Sequence, residues 1–124
     1  MESIIRDASA KTPKVYLDAD KGLIELKGRS IPENAIEFYT PVFNWIVAYG
    51  ELKKENTVVN MQLEYFNSSS SKCIMEIFKK LEVVAKLGNK VVINWYYDKD
   101  DEEIYSAGME YKSLSNIPFK FVAI

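Results

Sequence analysis

Between residues 57 and 66 the chain reads TVVNMQLEYF, and apolar side chains fall on every second position. Val59, Met61, Leu63 and Tyr65 point one way; Asn60, Gln62 and Glu64 point the other. A period of two marks a strand with one buried face. A strand packed between two helical layers would be apolar on both faces, so the polar side here predicts helices mainly on one face of the sheet. The same period runs through residues 14–18 (KVYLD) and 23–27 (LIELK), joined through Asp20, Lys21 and Gly22 as a hairpin that Gly28 closes. Residues 90–97 (KVVINWYY) form a second central strand with Val91, Ile93, Trp95 and Tyr97 on one side. Residues 119–124 (FKFVAI) form a closing strand after Pro118.

Helical spacing separates these strands. From Ser30 onward, Ala35, Phe38, Tyr39, Val42, Ile46 and Tyr49 recur at intervals of three and four. Ser30 and Glu33 have the spacing of a capping box, Pro32 suits a first turn, Pro41 predicts a kink or restart, and Gly50 reads as the stop. Residues 68–87 form an amphipathic helix on Ile74, Ile77, Phe78, Leu81, Val84 and Ala85, ended by Gly88. Residues 100–113 form a shorter helix with an acidic head. The predicted order is β-β-α-β-α-β-α-β: an α/β fold whose helix-separated strands pair in parallel through right-handed crossovers after an antiparallel hairpin. The whole of residues 1–124 reads as a single domain, with 1–12 as a loosely ordered leader.

Composition narrows the function. With 48% hydrophobic and 27% charged residues, a chain of this size can bury a core. No apolar run approaches the ~20 residues of a membrane span, and the first residues, MESIIRDASAKTP, lack a basic-then-apolar signal. A cytoplasmic monomer is the expectation. Cys73 is the only cysteine, which excludes an internal disulfide and a cysteine zinc cluster. Histidine is absent, which removes histidine-based nucleophilic triads, general bases and metal ligands. The net charge of −2 is scattered in sign, without the basic stripe that nucleic acid requires. No cofactor or metal is expected.

The informative stretch is Tyr65-Phe66-Asn67-Ser68-Ser69-Ser70-Ser71-Lys72, where a central strand gives way to a helix. Sites in open α/β sheets form at the carboxyl ends of strands, and free N–H groups at a helix start favour negative charge. Capping accounts for one of Asn67 to Ser70, but four consecutive serines exceed that need. The acidic group Asp98, Asp100, Asp101, Glu102 and Glu103 lacks the glycine and distant glutamate of a calcium loop, and reads as first-turn capping. Cys73 beside the apolar stripe reads as core, and Lys72 could pair with a phosphate.

The segments PKVYLD, GRSIPENAIEFYTPVFNW, YFNSSSSK and WYYDKDDEE, in this order, make the sequence resemble the SiaC family of regulatory phosphoproteins over residues 12–112. The resemblance implies a single STAS-like domain of the anti-anti-sigma-factor type. It also implies that a kinase phosphorylates the residue after the asparagine, here Ser68 (Ser69 and Ser70 being further acceptors in the run), and that a PP2C-type phosphatase reverses this. A threonine is associated with that position; serine keeps the hydroxyl. The implied output is a diguanylate cyclase bound by the unphosphorylated form, and hence cyclic-di-GMP and biofilm control. Ser30, Pro32, Glu33, Asn34, Asn67, Ser69 and Lys72 are the expected partner surface. One alternative is a small-molecule or anion-binding module in the groove between residues 30–34 and 67–72. Another is an enzyme using paired carboxylates such as Glu64 and Asp98.

Overall fold

Neighbours in the sheet are always neighbours in sequence. The computed structural model describes residues 1–124 and contains strands β1 (Ile4–Arg6), β2 (Lys14–Asp18), β3 (Leu23–Ser30), β4 (Asn56–Phe66), β5 (Lys90–Tyr97) and β6 (Phe119–Ala123), in the order β1-β2-β3-β4-β5-β6. Helices α1 (Ala35–Glu51), α2 (Ser68–Lys86) and α3 (Glu102–Leu114) connect the last four strands. β1, β2 and β3 pair antiparallel; β3 to β6 pair in parallel. Right-handed crossovers that always step in one direction lay their helices on the same face of a sheet. The burial of β4 agrees: Val59, Met61 and Leu63 are buried while Val58 and Glu64 are exposed. On the uncovered face Glu25, Asn60 and Asn94 stand in register across three strands. Asn94 donates to Asn60 and Asn60 to Glu25, each at 2.9 Å. The α/β class and the one-sided helices are therefore as the periodicity predicts.

Four local expectations are corrected. Residues 1–12 are not a loose leader, because β1 adds a third antiparallel strand, with Ile4 opposite Leu17 and Arg6 opposite Val15. Its three residues are too few to show a period. Ser30 does not cap α1 but ends β3, with Asn34 as the cap, accepting from the Glu37 amide at 3.1 Å. Ile31 precedes Pro32, which disfavours helical backbone at that residue and delays the helix; beside the cap bond, the Asn34 side-chain amide donates to the Glu37 carboxylate at 3.4 Å. α1 runs unbroken through Pro41, and Gly50 lies inside its last turn, where an added Cβ would stand 3.2 Å from Val84. Finally, Tyr65 faces outward. Gly28 (φ +125°) pairs with Leu63 and Arg29 with Tyr65, so Glu64 is skipped. This bulge turns Tyr65 out beneath the Arg29 guanidinium, 5.6 Å from its ring centroid, and turns Phe66 in toward Trp95.

Candidate functional site

β4 and β3 end side by side, and the chain turns directly into α2. The Asn67 amide donates to the Ser30 carbonyl at 3.1 Å, and the Asn67 side chain caps α2 by accepting from the Ser70 amide at 2.9 Å. The four serines that follow advance by about 100° each around the helix, so they meet four environments.

Ser68 and Ser69 are exposed. Ser70 is fully buried: its hydroxyl donates to the Ser30 carbonyl at 3.0 Å and accepts from the Ser30 hydroxyl at 2.8 Å. The Tyr39 hydroxyl of α1 completes this chain at 2.6 Å from the Ser30 oxygen. Ser71 is half-buried, and its hydroxyl lies 2.9 Å from the Tyr111 hydroxyl, which itself donates to the Ser71 carbonyl at 2.9 Å. Burial pushes the Tyr39 phenol up to about 12, against the opposing effect of its Ser30 hydrogen bond. It pushes Tyr111 up to about 12 as well, against its bond to Ser71. Both phenols are therefore protonated hydrogen-bonding groups near neutral pH.

An open groove of about 520 Å³ lies between the starts of α1 and α2, lined by Glu33, Asn34, Ile36, Phe43, Ser69 and Lys72 among others. The structure thus brings Glu33, Asn34, Ser69 and Lys72 together, places Asn67 as the α2 cap and Ser68 on the same exposed turn, and leaves Pro32 half-buried in the adjoining loop. Ser30 is corrected here also: with no exposed surface, it supports the site from within and offers nothing to a partner. Cys73 lies beneath the groove, its thiol pushed up by burial and further by Glu76. Tyr111 and Ser71 were not legible as site residues, although a tyrosine at a buried helical position needs a partner for its hydroxyl.

A second groove, of about 740 Å³, runs along the head of α3, where Glu64 and Asp98 both fall. There Asp101 caps α3 by accepting from the Ile104 amide at 3.0 Å, and Asp98 folds the preceding turn by accepting from the Asp100 amide at 2.9 Å. These acids do the capping work their position predicts. No helix is long and apolar enough to cross a membrane.

The start of α2 is thus capped and exposes two hydroxyls beside an open groove. The family model described as "SiaC family regulatory phosphoprotein" matches residues 6–124. The chain belongs to that family, and as a regulatory phosphoprotein it is not itself an enzyme. An uncharacterized protein of Pseudomonas aeruginosa strain UCBPP-PA14 is 29% identical over 112 residues, 90% of this chain and 89% of that one. The crystal structure of apo-SiaC from Pseudomonas aeruginosa superposes with a TM-score of 0.91 at 26% identity, covering 99% of this chain and 100% of that one. A second similar structure is SiaC from the same organism in complex with the diguanylate cyclase SiaD, which it activates; it has a TM-score of 0.92 at 26% identity over 98% of this chain and 99% of that one.

Proposed function

We propose that this protein is a cytoplasmic, monomeric phosphorylation switch. Unphosphorylated at Ser68, it binds and activates a diguanylate cyclase, and so raises cyclic-di-GMP and promotes biofilm formation. A kinase adds the phosphate, and a PP2C-type phosphatase removes it. The observation that carries this reading is the exposed Ser68 on the first turn of α2, next in the chain to Ser69 of the groove that Glu33, Asn34 and Lys72 also line.

The physical effect follows from charge. A phosphoserine carries about −1.5 to −2 charges, while the whole chain carries only −2. Within an isolated α2 start such a group is favourable, because the first-turn N–H groups lack helical acceptors. Within a docked interface it must be desolvated, and Glu33 and Glu76 already line the groove. Docking is opposed on both grounds. A coupling of about 1–3 kcal/mol, or roughly 5- to 150-fold in affinity, is the usual scale of such switches.

The small-molecule alternative has the free helix-start N–H groups and Lys72 in its favour. Against it stands the topology. Ligand crevices in open α/β sheets form where the strand order reverses, and here the order runs from β1 to β6 without reversal.

Site-mapped mass spectrometry on protein taken from its native cells tests the switch, with Ser68→Ala as control and titration of both forms against the cognate cyclase. The expected result is one phosphate that vanishes in Ser68→Ala, with the phosphorylated form binding at least fivefold more weakly. A Ser68 that stays unmodified when the phosphatase is removed, or equal binding by both forms, overturns it.

A further inference from the structure

The serine run looks uniform in sequence, but the fold divides it into two outward and two inward hydroxyls. We propose that Ser70 and Tyr111 are positioning residues that confine phosphorylation to the outward pair Ser68 and Ser69, and hold the first turn of α2 in one place whether or not it is phosphorylated. This rests on the switch reading above and deepens it.

The geometry gives each inward serine a closed set of bonds. With Ser70 donating to the Ser30 carbonyl, the Ser30 hydroxyl must donate to Ser70, which leaves Tyr39 to donate to Ser30. The relay Tyr39→Ser30→Ser70→Ser30 carbonyl thus has one direction and no spare donor. Tyr39, Ser30 and Ser70 all have 0% exposure. On the other flank, Tyr111 donates to the Ser71 carbonyl, so the Ser71 hydroxyl must donate to Tyr111. The Tyr111 ring is itself wedged among Phe78, Trp95 and Phe66, with centroids 5.1, 5.6 and 6.4 Å away.

Two consequences follow. Phosphoryl transfer needs the acceptor oxygen in the kinase cleft. There the Oγ–P bond forms as the bridging P–O bond of a nucleoside triphosphate breaks, the nucleoside diphosphate leaves, and the hydroxyl proton passes to a base of the kinase. Ser70 cannot reach such a cleft without opening the sheet end, and a phosphate left there would be a buried charge without a partner. Ser71 is withheld only by Tyr111. The second consequence is mechanical. The turn is bolted to β3 through Asn67 and Ser70, by way of Ser30 of that strand to Tyr39 of α1, and to α3 through Tyr111. A phosphate on Ser68 therefore acts where it stands, by surface charge, without remodelling the helix start.

The experiment compares wild type, Ser70→Ala and Tyr111→Phe in native cells lacking the phosphatase, with phosphates mapped to individual serines. Amide hydrogen exchange across residues 66–74 is measured on the same full-length proteins. In wild type, phosphate is expected on Ser68 or Ser69 and on neither inward serine, with first-turn exchange changing less than threefold on phosphorylation. In Tyr111→Phe, which keeps the ring and its packing, phosphate should spread to Ser71 and first-turn exchange should rise at least tenfold. A merely structural tyrosine would lower the melting temperature without moving the phosphate. Phosphate on Ser70 or Ser71 in wild type overturns the proposal while leaving the switch intact, as does a Tyr111→Phe protein with unchanged mapping. If no serine is phosphorylated in any variant, the switch reading falls, and unchanged exchange in Tyr111→Phe then removes the clamp as well. Should Ser70→Ala fail to fold, Tyr111→Phe carries the test alone.

Discussion

Trp45, in α1, donates its indole N–H to the carbonyl of Glu2 at 3.0 Å. The bond reaches 43 residues back along the chain and ties the N-terminal residues to a helix of the core. Arg6 adds a second tie, its guanidinium 5.6 Å over the Phe38 ring. Replacing Trp45 with Phe keeps most of the aromatic packing and removes the donor. The expected cost of one hydrogen bond is about 1 kcal/mol, felt first in β1. Amide exchange there should rise roughly fivefold while that of β4 and β5 changes little; equal changes in all three strands would mean that β1 does not depend on this bond.

Loss of the α2 cap should be visible in overall stability. Asn67→Ala removes the acceptor for the Ser70 amide, and losing such a cap costs about 1 kcal/mol. A urea midpoint lowered accordingly, and largely restored by Asn67→Ser, is the expected outcome.

Alkaline pH should loosen the relay beneath the serines. The Tyr39 phenol titrates near 12 in the folded protein and near 10 in an unfolded chain. Between those values the unfolded chain releases a proton that the folded protein keeps. Stability is therefore complete below about pH 10 and falls as pH rises toward 12, by up to about 1.4 kcal/mol per unit for one phenol. Tyr111 acts in the same direction. The informative quantity is the difference between wild type and Tyr39→Phe in urea unfolding at pH 9 and pH 11.5. The variant should show the shallower fall.

Gly108 lets α3 press directly onto the sheet. A Cβ there would stand 2.5 Å from two atoms of the Trp95 indole and 2.8 Å from Phe121. The Trp95 N–H also donates to the carbonyl of Ile104, one turn earlier in the same helix, at 3.0 Å. Gly108→Ala should thus destabilise by about 1–3 kcal/mol through overpacking, against its better helix propensity. A melting temperature at or above that of wild type would show that α3 can shift outward freely.

Much of this architecture is legible in the sequence because its central strands keep a strict period of two. The run of residues 90–97 coincides with β5, and the polar alternates Asn60, Gln62 and Glu64 foretell the uncovered face. Periodicity failed where long-range contacts override it. Nothing local marks Ile4 to Arg6 as a strand, because its partner β2 lies beyond an irregular turn. Tyr65 keeps the apolar period, yet the bulge at Gly28 and Arg29 turns it outward. Ser30 carries a capping signature but is claimed by Tyr39 and Ser70. At the site, the resemblance singles out Ser68 and the sequence locates its turn, whereas the roles of Ser70 and Ser71 depend on Tyr39, Ser30 and Tyr111, which only the fold brings near.

The unreversed strand order also bears on the schedule of assembly. Each parallel strand needs only the strand before it as a template, and contacts close in sequence form early. A chain emerging from the ribosome can therefore extend its sheet edge outward from the β2–β3 hairpin. Ser70 can find Ser30 and Tyr39 as soon as α2 docks, but Ser71 must wait until Tyr111, 40 residues further along, has been made. During that interval the serine turn is held on one side only, so a nascent chain would offer a kinase a broader choice of hydroxyls than the finished protein does.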